Sequence, residues 1–268
     1  LNAENALGEC HAAGLLGGPA DPAAAAACYR RAAEGGNAEA QKNLGVCLAK
    51  GTGLKQDMKE AVGWYRKAAD LGLAAAQNNL GVCHAHGLEV EQDWGKALAW
   101  YTAAAEQGHS GAQNNLGVLY ARGAAVEKDM AAALEWYRKA GASGHPNALE
   151  NLAVCSESGL VVEKDLEVAA GYYEQAARAG SRNSMFALGR LREERGGAGA
   201  ADEAAEWFRK AAAKGHKGAI AKLAQQGAAG GGQPDPPASP ESPPGVRAAA
   251  AAADVTPGGG AASPPPAS

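Results

Sequence analysis

The stretches AQNNLGVCHAHG at 76–87 and AQNNLGVLYARG at 112–123 repeat nearly the same residues 36 positions apart. Their Leu-Gly pair, or a close variant of it, returns along most of the chain in steps of 35 to 37 residues. Self-similarity at such a period indicates a repeat architecture. The pair occurs at Leu7-Gly8, Leu44-Gly45, Leu80-Gly81, Leu116-Gly117, Leu152-Ala153, Leu188-Gly189 and Leu223-Ala224.

The first segment of each repeat has the spacing of an amphipathic helix. Ala76, Leu80 and Val82 form an apolar stripe, and the same columns recur in the other repeats. Glycines follow these segments, and glycine accepts the left-handed conformation that ends many helices. The predicted caps are Gly51, Gly87, Gly123 and Gly159.

A second helix is predicted around a bulky pair about twenty residues further on. The pair is Cys28-Tyr29, Trp64-Tyr65, Trp100-Tyr101, Trp136-Tyr137, Tyr172-Tyr173 and Trp207-Phe208. An aspartate seven residues before five of these pairs predicts an N-cap, with Glu60 completing a capping box with Asp57. Ala200 takes the aspartate position in the sixth repeat, which predicts a frayed or shifted helix start. The predicted caps are Asp21, Asp57, Asp93, Asp129 and Asp165.

These patterns predict an all-α chain in which helix pairs stack as an α-α superhelix, or solenoid. It comprises about six 36-residue helix-pair repeats and a partial seventh, over residues 1–226. The units are 1–36, 37–72, 73–108, 109–144, 145–180, 181–215 and the partial 216–226. Residues 227–268 are rich in Pro, Gly, Ala and Ser, a composition that predicts a disordered tail.

The repeat resembles the Sel1-like repeat, a relative of the tetratricopeptide repeat. The resemblance rests on the pattern A…LG…G…D…KA…WY.KAA..G, matches closely over 37–144 and extends to about residue 224. The tetratricopeptide repeat itself fits less well, because its period is about 34 residues. The resemblance implies a scaffold or adaptor that holds other proteins together, including roles in degradation at the endoplasmic reticulum and in bacterial signalling.

Composition excludes some classes of function. The net charge is −4 without long blocks of one sign, which argues against a nucleic-acid binder. No apolar run reaches the roughly 18 residues that span a bilayer. No signal peptide is visible and the five cysteines are an odd number, so a cytoplasmic location is favoured and an endoplasmic-reticulum association stays open. The sequence does not specify the oligomeric state.

Cys83, His84 and His86 suggest a metal site at first sight, but their columns argue otherwise. Cys83 shares a column with leucine in other repeats, which indicates packing, and His84 falls where Leu48 and Tyr120 stand. On a helix the three side chains diverge by about 100° and 200°, and zinc-binding pairs prefer i, i+4 spacing. We therefore predict no metal and no cofactor.

Catalytic motifs are absent from the sequence. It has no phosphate-binding loop, no HExxH, no G-x-S-x-G elbow and no Ser-x-x-Lys pair. We predict that the chain is not an enzyme.

Candidate binding residues lie on the first helix of each repeat, which lines the concave face in tetratricopeptide proteins. An asparagine precedes the Leu-Gly pair in four repeats; it could contact a bound peptide or bond the backbone of the neighbouring helix. Basic residues of the same helices could engage an acidic peptide, although each could equally be a solvated side chain. The candidates are Lys42, Asn43, Lys50, Asn78, Asn79, His86, Asn114, Asn115, Arg122 and Asn151.

The favoured function is a non-enzymatic protein–protein adaptor that binds a peptide or a helix in the concave groove. The alternative is a repeat module of a larger protein, of the degradation or signalling type, whose function lies in upstream sequence. The chain starts at Leu1, almost at the first residue of a repeat, with no polar cap before it. That start favours the alternative.

Overall fold

The structure, a computed structural model, describes residues 2–228, which form thirteen α-helices and no strand. Residues up to Gln107 and those from Gly108 form two compact units. Unit 1 contains α1 (Asn2–Ala13), α2 (Pro22–Glu34), α3 (Ala38–Lys50), α4 (Met58–Asp70), α5 (Ala74–His86) and α6 (Trp94–Glu106). Unit 2 contains α7 (Ser110–Arg122), α8 (Met130–Ala142), α9 (Pro146–Ser158), α10 (Leu166–Arg178), α11 (Arg182–Arg195), α12 (Ala200–Ala213) and α13 (Lys217–Ala228).

Helices alternate between the two predicted types. Odd-numbered helices carry the Leu-Gly pair and are the first helices of the repeats, and even-numbered helices carry the aromatic pair. Within each unit, every helix packs against the next one along the chain. The predicted all-α class, with six helix-pair repeats and a partial seventh in a solenoid, is confirmed. The predicted disorder of the tail concerns residues that lie almost wholly outside the described range.

A contact between glycine and an aromatic ring joins the two helices of most repeats. A Cβ added to Gly45 would lie 2.6 Å from the ring of Tyr65, and one added to Gly117 would lie 2.5 Å from Tyr137. Gly8, Gly81 and Gly189 face their rings as closely. The glycine of the Leu-Gly pair therefore provides the space into which the ring of the second helix packs.

The predicted helix ends are confirmed. Gly51, Gly87, Gly123 and Gly159 adopt the left-handed conformation. Each of the five predicted aspartates accepts a backbone N–H of the following first turn.

The aspartate caps also bond to the helix before them. For example, the Asp57 N–H donates to the Leu48 carbonyl at 3.0 Å. The predicted capping box is therefore wrong, because the Asp57 N–H already has this partner. The Glu60 carboxylate instead accepts from Arg30, at 2.8 Å, and from the Trp64 indole, at 3.1 Å.

The sixth repeat shows the predicted shift. Helix α12 begins at Ala200 itself, one residue earlier than its column equivalents, and Gly199 stands at its N-cap with φ +82°. No side chain caps this helix. A turn at Gly199 thus takes the place of the aspartate cap in this repeat.

Val161 has a backbone conformation that valine rarely adopts. Its φ is +67°, and the equivalent residue in the second repeat is Gly53, with φ +76°. Val161 is 55% exposed, so removing its side chain loses little buried apolar area. We expect Val161→Gly to raise the free energy of unfolding by about 0.5–1 kcal/mol, because it relieves this strain.

Urea unfolding followed by circular dichroism measures this effect. The matched control is Val162→Gly, at a half-buried position without positive φ, which should lower the free energy of unfolding. Equal destabilisation by both substitutions would show that the strain at Val161 is negligible.

Candidate functional site

The ten predicted binding residues divide into three classes of exposure. Lys50, His86 and Arg122 are exposed, and Asn78, Asn79 and Asn115 are half-buried. The remaining four are buried, so they present little surface to a partner. These buried residues are Lys42, Asn43, Asn114 and Asn151.

The buried asparagines connect successive repeats. Asn43 Nδ2 donates to Asn5 Oδ1 at 3.1 Å, and Asn151 Nδ2 donates to Asn114 Oδ1 at 3.2 Å. Each bond joins the first helices of neighbouring repeats within one unit. For Asn43 and Asn151 the acceptor is a side chain, and not the neighbouring backbone that the alternative predicts. These bonds satisfy amides that would be costly to bury alone.

The three exposed candidates share one position in their helices. Lys50, His86 and Arg122 are the final residues of α3, α5 and α7, directly before the glycine caps. A positive charge at a helix C-terminus interacts favourably with the helix dipole. This structural role is compatible with the predicted binding role, because the side chains also reach solvent.

We call the accessible part of these helices the first-helix strip. In unit 1 it comprises the half-buried Val46, Asn78 and Asn79 and the exposed Lys50 and His86. In unit 2 it comprises the half-buried Asn115, Val118 and Val154 and the exposed Arg122. In each unit the strip combines apolar valine, amide groups and positive charge.

The residues that suggested a metal site separate in the structure. Cys83 is 1% exposed and His84 is 6% exposed, whereas His86 faces solvent. Burial lowers the pKa of His84, which keeps its imidazole neutral. Residues 2–228 contain no group of three His, Cys, Asp or Glu side chains placed to hold a metal ion. The prediction that Cys83 and His84 belong to the core is confirmed.

The buried cysteines should react slowly with alkylating agents. Burial raises the pKa of Cys83 to about 11 and also raises the pKa of Cys47 and Cys155. Since the thiolate is the reactive form, we expect iodoacetamide at pH 8 to modify half-buried Cys10 first. Mass spectrometry over time gives the order of labelling. Fast labelling of Cys83 in the folded chain would contradict this description of the core.

No helix among residues 2–228 has the length and apolar character needed to cross a membrane. This finding agrees with the absence of a long apolar run in the sequence.

Two crystal structures resemble the chain closely. A protective antigen present in uropathogenic Escherichia coli strains, displaying an SLR fold, is 36% identical with a TM-score of 0.66. That match covers 85% of this chain and 49% of the antigen, so the chain spans about half of the antigen's length. A Sel1 repeat protein from Oxalobacter formigenes is 32% identical with a TM-score of 0.72, over 78% of this chain and 84% of that protein.

More distant similarity supports the fold alone. An immunity protein from Pseudomonas aeruginosa is 22% identical with a TM-score of 0.54, over 84% of this chain and 81% of that protein. No curated protein matches the chain significantly. The Sel1 repeat matches residues 1–37, 38–73, 74–109, 110–145, 146–181 and 183–216. With six consecutive matches and the helix pairs described above, the chain belongs to the Sel1 repeat family.

Proposed function

We propose that this chain is a non-enzymatic adaptor that binds a peptide or a helix of another protein along the first-helix strip. Sel1 repeat proteins are generally protein-interaction scaffolds, and their solenoids are typically non-enzymatic. In tetratricopeptide proteins, which the repeat resembles, the first helices line the concave face. The proposal assigns the same role to the strip of each unit.

One observation carries this proposal: the strip varies where the packing columns stay constant. Ala76 and Leu80 are fully buried, and so are their equivalents Ala112 and Leu116, apart from 1% exposure at Leu116. The exposed end of the same helices changes from lysine to histidine to arginine, and then to Ser158 and Glu194. Packing does not restrict these positions, so they are available to determine which partner is bound.

Of the ten predicted binding residues, the proposal retains the six that reach solvent at least in part. Lys50 provides positive charge and His86 an imidazole in unit 1, and Asn78 and Asn79 provide amide groups that can pair with a peptide backbone. In unit 2, Asn115 and Arg122 have the same two roles. An extended acidic segment fits this chemistry best, because cations and amides would meet carboxylates and peptide groups.

The test is affinity capture with the full chain, from a lysate of the source organism. The variant Lys50→Ser/His86→Ser carries the residue that repeat five has at this position, so the fold should tolerate it. We expect this variant to lose most of the captured partner. The control is Lys59→Ser, at an exposed position of α4 outside the strip. Equal capture by the double variant and the unsubstituted chain would refute binding at the strip of unit 1.

A repeat module within a larger protein is the second candidate. It is supported by the E. coli antigen, of which this chain matches only 49%. Reading the gene on both sides of the given sequence tests it. Further in-frame repeats or a different domain would support the module, and stop codons directly flanking the sequence would rule it out.

A further inference from the structure

A pocket opens in unit 2 where the fourth and fifth repeats meet. Its volume is about 370 Å³, and Leu134, Leu152, Val162 and Tyr172 line it. Arg138 of α8 and Val168 of α10 also line it. A volume of this size accommodates a large apolar side chain of another molecule. The pocket lies outside the first-helix strip.

Exposed apolar residues stand next to the lining residues in the sequence. Leu160, Val161, Leu166 and Val168 are between 39% and 55% exposed, and all four fall within nine residues. Clustered exposed apolar residues mark interaction sites more often than scattered ones do.

In the first junction, between the first and second repeats, the corresponding columns carry an ion pair. Arg30 stands in the column of Arg138, Glu60 stands in the column of Val168, and the two side chains bond at 2.8 Å. In the junction of the fifth and sixth repeats the same two columns hold Glu174 and Glu203. Arg192 bridges them at 3.4 and 3.5 Å.

The junction of the fourth and fifth repeats lacks the carboxylate. Val168 stands where the second repeat has Glu60, although the column also holds Ala24, Lys96 and Ala132 in other repeats. Within residues 2–228, Arg138 forms its ion pair with Glu135 of its own helix, at 2.7 Å. That pair is exposed, and exposed pairs three residues apart on a helix are weak. Arg138 is therefore available to a carboxylate from outside. The Asp165 carboxylate beside the pocket is not a competitor, since it caps α10.

We propose that this pocket binds a partner peptide that inserts one large apolar side chain and places an Asp or Glu carboxylate on Arg138. The bonded Glu60 of the first junction shows the geometry that the partner's carboxylate would reproduce. Lys164 adds a second positive charge to the lining, and Glu163 adds a negative one. The proposal rests on the proposed protein-binding function and adds a second contact, with its own specificity.

The test begins with a random dodecapeptide library displayed on phage and selected on the full chain. Selected peptides are synthesised with a fluorescent label, and their binding is measured by anisotropy. We expect them to share a large apolar residue and a nearby Asp or Glu. The variant Val168→Glu introduces the residue that the second and sixth repeats have at this position, and the new carboxylate should pair with Arg138 and close the pocket. We expect it to weaken binding by at least about tenfold.

The matched control is Ala132→Glu, the same introduced residue at the column-equivalent position of α8, which does not line the pocket. It should bind the peptides as the unsubstituted chain does. Circular dichroism establishes that both variants fold. A second variant, Arg138→Gln, should remove the difference between a peptide and its Glu-to-Gln or Asp-to-Asn version.

Several outcomes would overturn the proposal. These are a library without binders, selected peptides that lack a carboxylate, and unchanged binding to Val168→Glu. Binding that survives Val168→Glu but is lost in Lys50→Ser/His86→Ser would overturn the pocket and support the first-helix strip. Loss of peptide binding in Val168→Glu supports the pocket, whether or not Lys50→Ser/His86→Ser also loses binding.

Discussion

Gly117→Ala is expected to lower the free energy of unfolding by about 1–3 kcal/mol, although alanine favours helix formation over glycine. The added Cβ would lie 2.5 Å from the Tyr137 ring and 3.1 Å from the Ala133 carbonyl oxygen. Tyr137 is fully buried, so its ring has no room to withdraw. The clash therefore outweighs the gain in helix propensity of about 1 kcal/mol.

Unit 2 supplies its own controls. Gly171 lies inside α10 with no atom within 4 Å of an added Cβ, so Gly171→Ala should stabilise the chain by about 0.5–1 kcal/mol. Repeat five already has Ala153 at the position of Gly117, and its Tyr173 hydroxyl bonds to Glu157 at 2.8 Å. Urea unfolding of the variants measures the effects. Stabilisation by Gly117→Ala would contradict the proposed ring contact.

The second large effect is a loss of stability at alkaline pH. Burial raises the pKa of Tyr29 to about 12 and also raises the pKa of the four equivalent tyrosines. In the unfolded chain a tyrosine ionises near pH 10, so above that pH the folded state retains protons that the unfolded state has lost. The free energy of unfolding therefore decreases as the pH rises from 10 towards 12. Tyr29 alone should account for about 2 kcal/mol at pH 12. The equivalent tyrosines are Tyr65, Tyr101, Tyr137 and Tyr173.

Tyrosinate absorbance near 295 nm and helical circular dichroism, recorded together, measure this alkaline transition. We expect the buried tyrosines to ionise at the pH at which the helices are lost, because deprotonation requires unfolding. A reducing agent in the buffer prevents cysteine oxidation from mimicking the effect. Ionisation of all seven tyrosines near pH 10 with intact helices would contradict the burial described above.

The sequence was sufficient to predict the fold because its signals are local and recur six times. A single Leu-Gly pair does not predict a fold. Its recurrence beside helix-capping residues identifies the helix pair and its buried columns. The shifted start of α12 could also be predicted, since Ala200 breaks the aspartate column.

Contacts between repeats were harder to predict, because one-dimensional spacing does not specify which side chains meet. Glu60 has the spacing of a capping box, yet Arg30 of the preceding repeat binds it. Asn43 and Asn151 resembled peptide-binding residues, yet both are buried in bonds between repeats. His109 and His145 were missed as caps, although Asn37 and Ser181 in the same column could have indicated this role.

The pocket beside Arg138 depends on a difference between repeats rather than on a shared motif. Val168 has no distinguishing feature by itself. The difference is that its equivalent in the second repeat, Glu60, forms an ion pair with Arg30. The difference between Glu60 and Val168 is visible in the sequence. Only the structure shows that side chains of the Arg138 and Val168 columns can meet, as Arg30 and Glu60 do. Columns shared by the repeats thus explain how the chain folds, and we propose that departures from them mark where it binds.

Site-specific photocrosslinking tests the central claim most directly, namely that partners bind at the first-helix strip. Benzoylphenylalanine is placed in the full chain at His86, on the strip, or at Lys59, exposed on α4. Each form is irradiated in a lysate of the source organism. We predict a discrete crosslinked protein from position 86 that is absent from position 59. Equal crosslinking from both positions, or from position 59 alone, would contradict the account.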